Sequence, residues 1–155
     1  MRALIADDDP VYQELLRNLL SQWEYDVVVA CDGNEAWEAL QTDDPPKLAI
    51  IDWMMPGLDG FELCRRIRQS PQGDGLYVLF LTGGSRKKEI IRALVAGVDD
   101  YLIKPFEPLD LKTRLLVARR ILDLRQEVAE LRDSLAAQSH RGQRSGAANP
   151  LHVLD

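Results

Sequence analysis

Five short apolar runs, separated by stretches of helical periodicity, constrain the fold of this chain more than any other feature. The runs indicate β-strands and are Ala3–Ala6, Val27–Ala30, Leu48–Ile51, Val78–Leu81 and Tyr101–Ile103. The stretches between them carry apolar residues three and four positions apart, as amphipathic helices do, and are 10–23, 33–41, 58–69 and 86–97. Near-continuous apolar strands are typical of a parallel sheet covered on both faces. The pattern predicts a doubly wound α/β fold on a five-stranded parallel sheet of order 2-1-3-4-5.

The first two helices have recognisable starts. Pro10 suits the first helical position with Asp9 as its N-cap, and the sequence Asp32-Gly33-Asn34 opens the second helix. The apolar positions that make the first helix amphipathic are Val11, Leu15, Leu16, Leu19 and Leu20.

The last helix carries a heptad pattern. Its apolar positions alternate four and three apart and are Val117, Ile121, Leu124, Val128, Leu131 and Leu135. Its first turns, with Leu111, Leu115 and Leu116, can pack on the sheet, but residues 117–138 extend beyond what a five-stranded domain can cover. We therefore predict a coiled-coil-like extension that forms a homodimer, with docking on another neighbour or fraying as alternatives.

Charges beside this heptad pattern bear on how two such helices would pair. In a parallel pair, Glu127 can meet Arg132 of the other chain, although Arg120 and Arg125 would oppose each other. Residues 139–155, rich in Gly, Ser, Ala and Arg, indicate a linker or disordered tail.

Composition excludes several classes of protein. The content of 46% apolar and 28% charged residues is that of an ordinary globular domain, and the net charge of −6 argues against direct nucleic-acid binding. The apolar stretches are too short to span a bilayer, and Asp7 interrupts the N-terminal run before a signal peptide could form. We therefore expect a soluble, cytoplasmic protein. Cys31 and Cys64 lack metal-ligand spacing, which predicts free, buried thiols.

Polar residues follow four of the predicted strands. Asp7 and Asp8 follow the first strand, Asp52 the third, Thr82 the fourth and Lys104 the fifth. Ligands of open α/β sheets bind beyond the carboxyl ends of the strands, where the strand order reverses. With the order 2-1-3-4-5, the three aspartates converge on one crevice.

Grouped carboxylates need compensation. Two of them about 4 Å apart repel by about 1 kcal/mol in water and about 4 kcal/mol near a protein surface. Helix capping accounts for Asp9 alone, so Asp7 and Asp8 indicate either solvated charges or, as we predict, a site for Mg²⁺ or Mn²⁺. A metal-bound phosphoryl group attacked by Asp52 would use the whole set, with Lys104 neutralising its oxygens and Thr82 donating a hydrogen bond.

These motifs resemble the receiver domain of two-component response regulators. The matching residues are the Asp7–Asp8 pair, Asp52 in "LAIIDWMMPGLDGFEL", Thr82 in "VLFLTGG" and Lys104 in "AGVDDYLIKPF". The resemblance covers residues 1 to about 122. It implies a regulatory phosphoacceptor, not an enzyme in the ordinary sense, whose partner is a sensor histidine kinase or a phosphotransfer protein.

The resemblance also assigns roles to individual residues. Asp52 would be the phosphoacceptor, and Asp8, Asp52 and the backbone carbonyl of Met54 would bind Mg²⁺, with Asp7 holding a metal-bound water. Thr82 and Lys104 would bind the phosphoryl oxygens, and Tyr101 would be the aromatic switch that follows Thr82. The Lys104–Pro105 bond would be cis. Alternatively, Tyr101 is only an edge-strand aromatic residue, and Pro105 only marks a helix start.

Some residues depart from the commonest pattern of the family. Gly83 and Gly84 follow Thr82, which makes that loop softer. Met54, two residues after Asp52, cannot orient an attacking water, so we predict a phosphorylated state that lasts longer than in relatives with an acid or amide there.

Other functions compete with this interpretation. A haloacid-dehalogenase-type hydrolase needs an acid at position 54, and a flavodoxin-like cofactor binder would not place acids at 7–9. A scaffolding pseudo-receiver is disfavoured because every reactive position is filled. We expect the long helix to transmit the signal to an output domain or partner; the alternative is a complete single-domain regulator or phosphorelay shuttle.

Overall fold

The described part of the chain forms one parallel sheet with helices on its faces. The computed structural model describes residues 1–71, 73–84 and 87–145, with side chains up to residue 138. The strands are β1 (Arg2–Ala6), β2 (Asp26–Ala30), β3 (Leu48–Asp52), β4 (Tyr77–Thr82) and β5 (Asp100–Ile103). The α-helices are α1 (Pro10–Gln22), α2 (Gly33–Ala39), α3 (Gly60–Gln69), α4 (Lys87–Ala96) and α5 (Pro108–Ser145). A short 3-10 helix at Gly73–Gly75, which we did not predict, precedes β4.

The strand order confirms the predicted topology. Neighbouring strands pair in parallel in the order β2-β1-β3-β4-β5, so β1 and β3 flank the point where the order reverses. Ala6 pairs with Ile51, which places the residues that follow β1 level with the end of β3. Thr82 pairs with Ile103, so the residue after β5 follows directly beside the end of β4.

Burial explains why the sequences of β3 and β4 are so apolar. Every residue of β3 and of β4 is buried, because helices cover both faces of the sheet. The edge strand β2 is less buried, and Cys31, which follows it, is exposed. Our prediction of a buried thiol is therefore wrong for Cys31 and confirmed for Cys64, whose pKa burial raises to about 11.

Aspartate caps start the first three helices. The side chain of Asp9 accepts the Val11 N–H at 2.9 Å, with Pro10 at the first helical position, and Asp32 accepts the Glu35 N–H at 2.8 Å. Both caps were predicted. Asp59 caps α3 in the same way, through the N–H of the residue three positions later.

Helix α1 faces the sheet with part of its predicted apolar set. Leu16 and Leu20 are fully buried, whereas Val11 is 73% exposed and Leu15 38% exposed. At 100° per residue, Val11 points well away from the direction of Leu16, so its apolar character does not reflect core packing. The predicted amphipathic helix is present, but Val11 and Leu15 lie outside its buried face.

Arg68 joins several backbone segments near the amino ends of β4 and β5. Its guanidinium donates to the carbonyl oxygens of Gly97 (2.8 Å), Leu76 (2.8 Å) and Gly73, and it pairs with the Asp99 carboxylate at 2.7 Å. Asp99 in turn accepts the Val78 N–H at 2.8 Å. Because the Arg68 side chain is only 19% exposed, its hydrogen bonds replace solvent for these groups.

Two compact units are distinguished along the chain, one from Met1 to Ala118 and a second from Arg119 onward. In the first, Leu111, Leu115 and Ala118 of α5 are buried, but Leu116 is exposed, so our prediction that Leu116 packs inward is wrong. The second continues α5 to Ser145, past the end at residue 138 that we predicted. The rest of the predicted linker or tail, from residue 146, lies outside the described residues.

Most of the predicted heptad side chains along α5 are open to solvent. Five of the six heptad residues are each at least 45% exposed, namely Val117, Leu124, Val128, Leu131 and Leu135. Ile121 is partly buried. None of the helices that the structure describes is long and apolar enough to cross a bilayer.

Candidate functional site

The sheet register brings the acidic residues together. Ala6 and Ile51 are paired on β1 and β3, so Asp7 and Asp52 come next at the same level on adjacent strands. Ligand oxygens of Asp7, Asp8 and Asp52 lie within 4.8 Å of one another. The convergence of three carboxylates that the strand order implied is therefore present in the structure.

Asp7 is the most deeply placed of the three acids. It has no exposed surface, and its two carboxylate oxygens have separate partners: Oδ1 accepts a hydrogen bond from the Asp9 N–H at 2.9 Å, and Oδ2 accepts one from the Lys104 ammonium at 2.9 Å. The backbone carbonyl of Asp7 accepts from Gln13 Nε2 at 2.6 Å. These contacts hold the loop after β1 in place and compensate a carboxylate that water does not reach.

Asp52 is buried, and the pKa of its carboxyl group is raised. The residue is 8% exposed, and burial, followed by the nearby charge of Asp7, raises its pKa to about 6, although Lys104 acts in the opposite direction. Its Oδ1 accepts the Met54 N–H at 3.4 Å, and its Oδ2 lies 3.5 Å from Lys104 Nζ. The carboxylate is therefore held by a donor on each side.

Lys104 supplies the positive charge of the site. Burial alone lowers its pKa, but the hydrogen bond to Asp7 and the charges of Asp52 and Asp7 outweigh burial and raise the pKa above its ordinary value. The ammonium also lies 3.9 Å from the centre of the Tyr12 ring, a cation–π contact. The Lys104–Pro105 peptide bond is cis. Lys104 thus stays charged beside the two acids.

Asp8 differs from its neighbours because it is exposed. It stands at the open side of the acid cluster, and the three carboxylates together form an oxygen-only donor set with a net negative charge after Lys104 is counted. Hard divalent cations such as Mg²⁺ prefer oxygen ligands of this kind. The donor set therefore fits the metal that the sequence predicted.

Thr82 and Tyr101 lie on the same small cavity. Thr82 is 7% exposed; its hydroxyl O–H donates to the Gly84 carbonyl oxygen at 3.0 Å, and its hydroxyl oxygen accepts from the Gly84 N–H at 3.2 Å. Both residues line this largely apolar cavity with Trp53, Phe61, Phe80, Glu89, Ile90 and Ala93. The Thr82 hydroxyl is therefore engaged with its own loop, and space lies between it and the aromatic side chains.

Three residues that support the site were not singled out from the sequence. Tyr12 contacts Lys104, Gln13 holds the Asp7 carbonyl, and Gly60 lets α3 begin directly against the end of β3. A Cβ at position 60 would lie 2.7 Å from the Trp53 Cα, so only glycine fits there. The Asp59-Gly60 pair before an apolar helix was a signal for this close approach, whereas nothing in the sequence marked Tyr12 or Gln13.

Carboxylates, a hydroxyl and an ammonium group lie at one edge of a parallel sheet of order β2-β1-β3-β4-β5. This arrangement is typical of one class of α/β signalling domain. The chain belongs to the response regulator receiver domain family, whose model matches residues 3–116. It is thus a receiver domain of two-component signal transduction, with a regulatory role and not that of an ordinary enzyme.

Individual relatives are consistent with this family. Chemotaxis protein CheY1 of Helicobacter pylori is 37% identical over 76% of this chain and 95% of its own length. The response regulator MprA of Mycobacterium ulcerans is 42% identical over 88% of this chain, which covers 56% of MprA. The receiver domain of sensor histidine kinase PA1611 from Pseudomonas aeruginosa, solved with a magnesium ion in its active-site cleft, superposes with a TM-score of 0.68 at 29% identity, covering 74% of this chain and 93% of that one.

Proposed function

We propose that Asp52 accepts a phosphoryl group from a sensor histidine kinase or a phosphotransfer protein, in a reaction that depends on Mg²⁺ or Mn²⁺. The observation that carries this proposal is that Asp52 lies beside Lys104, whose Nζ is 3.5 Å from Asp52 Oδ2, and that ligand oxygens of the three aspartates lie within 4.8 Å of one another. A buried carboxylate flanked by a fixed ammonium is oriented for attack on a phosphorus atom.

The metal would be held by Asp8, by Asp52 and by the carbonyl of Met54, with Asp7 positioning a metal-bound water. In the structure, the contact between Met54 and Asp52 is made by the Met54 amide, so the carbonyl is not used in that contact. The magnesium ion in the cleft of the similar Pseudomonas receiver supports this assignment. When bound, the cation supplies positive charge that neutralises the carboxylates and the phosphoryl oxygens.

The chemical step itself is a transfer between two side chains. A carboxylate oxygen of Asp52 attacks phosphorus, the bond between phosphorus and the donor's imidazole nitrogen breaks, and the imidazole takes up a proton as it leaves. Lys104 Nζ, already 3.5 Å from Asp52 Oδ2, stabilises the charge on the phosphoryl oxygens. The product is an aspartyl phosphate whose later hydrolysis resets the domain.

The added phosphoryl group would change the surface through Thr82 and Tyr101. The Thr82 hydroxyl, which contacts Gly84 in the structure, would donate instead to a phosphoryl oxygen. Tyr101 also lines the cavity beside Thr82. When the Thr82 hydroxyl moves towards the phosphoryl group, the Tyr101 ring would move into this cavity. We therefore propose Thr82 and Tyr101 as the switch pair.

The long helix α5 would carry the signal onward. Its exposed apolar side chains support a homodimer through α5, whose state changes with phosphorylation and is passed to an output domain or a partner protein. The alternative is a phosphorelay shuttle that acts through contacts with other proteins.

One experiment tests the phosphoacceptor proposal directly. The protein is incubated with a small-molecule phosphodonor and Mg²⁺, and intact mass is measured. We expect a mass increase of one phosphate that disappears in Asp52→Asn and without divalent cation, but persists in the control Asp110→Asn, which removes an exposed carboxylate on α5. A wild-type protein that gains no mass would make the chain a scaffolding pseudo-receiver.

A further inference from the structure

We infer that the heptad stripe of α5 pairs with the same stripe of a second copy of this chain as a parallel, two-stranded coiled coil. The heptad stripe consists of Val117, Ile121, Leu124, Val128, Leu131 and Leu135. The inference rests on the homodimer of the proposed function and goes further, because it specifies the number of strands, their direction and their register.

The stripe and the buried face of α5 lie on different sides of the helix. Leu111, Leu115 and Ala118 are buried at the start of α5, while Val117 and Leu124 are exposed. With 100° of rotation per residue, the centre of the heptad stripe lies roughly 130° around the helix from the centre of that buried set. The side chains that begin α5 by packing inward are therefore not those available to a partner.

The kinds of apolar residue in the stripe select the strand number and direction. In a heptad frame, Val117, Leu124 and Leu131 occupy d positions, and the a positions are Ile121, Val128 and Leu135. β-branched residues at a with leucine at d favour a two-stranded parallel arrangement. Two of the a residues and two of the d residues follow this rule, and no charged or amide residue interrupts the stripe between Val117 and Leu135.

The flanking charges also discriminate between directions. In a parallel pair, Glu127 at g faces Arg132 at e of the other copy twice, by symmetry, although Arg120 and Arg125 oppose each other. In an antiparallel pair, the e edges face one another, and their charged residues are Arg125 and Arg132. An antiparallel dimer would therefore bring only arginines together among the charged residues of that edge, and it would lose the two Glu127–Arg132 contacts of the parallel pair.

Cysteine crosslinking tests the direction. In a Cys31→Ser background, which removes the exposed native thiol, Val117→Cys and Leu131→Cys are each oxidised separately, with Asp133→Cys on the outer helix face as the control. A parallel dimer in register predicts a disulfide-linked dimer for each stripe variant alone and none for the control. Crosslinking of Val117→Cys only when it is mixed with Leu135→Cys would show an antiparallel pair and overturn the inference.

A second set of variants leaves the stripe itself unchanged. Arg132→Glu places two acids opposite each other in the parallel pair, so the dimer dissociation constant should rise several-fold, and Glu127→Arg combined with Arg132→Glu should restore it. In an antiparallel pair Arg132→Glu would instead strengthen association, which contradicts the inference.

Light scattering gives the mass of the wild-type protein in solution. A monomeric or trimeric wild type would also overturn the inference. Since none of these measurements uses phosphate, a failure of the phosphoacceptor proposal would be seen separately, in the mass assay on Asp52.

Discussion

Lys104 Nζ lies 2.9 Å from Oδ2 of Asp7, a carboxylate with no exposed surface. The two residues are separated by nearly the whole domain in sequence, and the contact links the loop after β1 to the end of β5. The same ammonium stands 3.5 Å from Asp52, so one lysine compensates two buried acids.

Removal of the lysine should destabilise the metal-free protein. Lys104→Met leaves two buried acids without their shared partner, and we expect the free energy of unfolding in EDTA at pH 7 to fall by about 3 kcal/mol. Urea denaturation measures the change. Lys112→Met, which removes an exposed lysine on α5, is the matched control and should change stability little. Addition of Asp7→Asn to Lys104→Met should recover part of the loss; a further loss would contradict the assigned ion pair.

The raised pKa of Asp52 predicts a pH-dependent stability. Because the folded protein holds this proton up to pH about 6, whereas the ordinary pKa is 3.8, unfolding releases a proton between these values. The stability of the metal-free protein should therefore fall as the pH rises from about 4 to about 6. Asp52→Asn removes this dependence and should be more stable at pH 7, by on the order of 1–3 kcal/mol.

Denaturant titrations in EDTA at several pH values measure this difference between wild type and Asp52→Asn. The control Asp123→Asn, which removes an exposed carboxylate, should follow the wild type. Mg²⁺ should stabilise the wild type more than Asp52→Asn, because a ligand that binds only the folded state stabilises it. Equal stability of wild type and Asp52→Asn across the range would show that Asp52 ionises normally.

The side chain of Met54 should govern the lifetime of the phosphorylated state. Met54 is 64% exposed and directly follows the Asp52–Trp53 segment, so it borders the approach of water to an aspartyl phosphate. Met54→Asn introduces a group that can orient this water, and we expect aspartyl-phosphate decay to become several-fold faster. Met54→Leu keeps an apolar side chain of similar size and should decay like the wild type. A wild-type decay as fast as that of Met54→Asn would reject this role.

Arg68 should contribute far more to stability than Arg65, an exposed arginine on the same helix. Arg68→Met removes the cation paired with Asp99 and the donor to three carbonyl groups, so we expect a loss of about 3 kcal/mol. Arg65→Met removes an exposed ion pair with Glu62, which contributes only about 0.2–1 kcal/mol. Thermal or urea unfolding of both variants gives the comparison, and similar losses would mean that the Arg68 contacts are not maintained in solution.

The sequence predicted the strand order and the ends of most elements well. Apolar runs and helical periodicity identified each strand within a residue or two, because a sheet buried on both faces demands continuous apolar sequence. The pattern failed for Val11 and Leu116, which are apolar and exposed, since periodicity shows which residues share a helix face but not which face meets the sheet.

The reactive groups could be identified from the sequence: acids follow β1 and β3, a hydroxyl ends β4 and an ammonium follows β5, each at a strand end where parallel strands must place it. Their contacts became visible in the folded chain alone, where Lys104 pairs with Asp7 and lies over the Tyr12 ring, and Thr82 contacts Gly84. Hydrogen bonds and desolvation depend on distances between residues far apart in the chain, and strand patterns do not encode those distances.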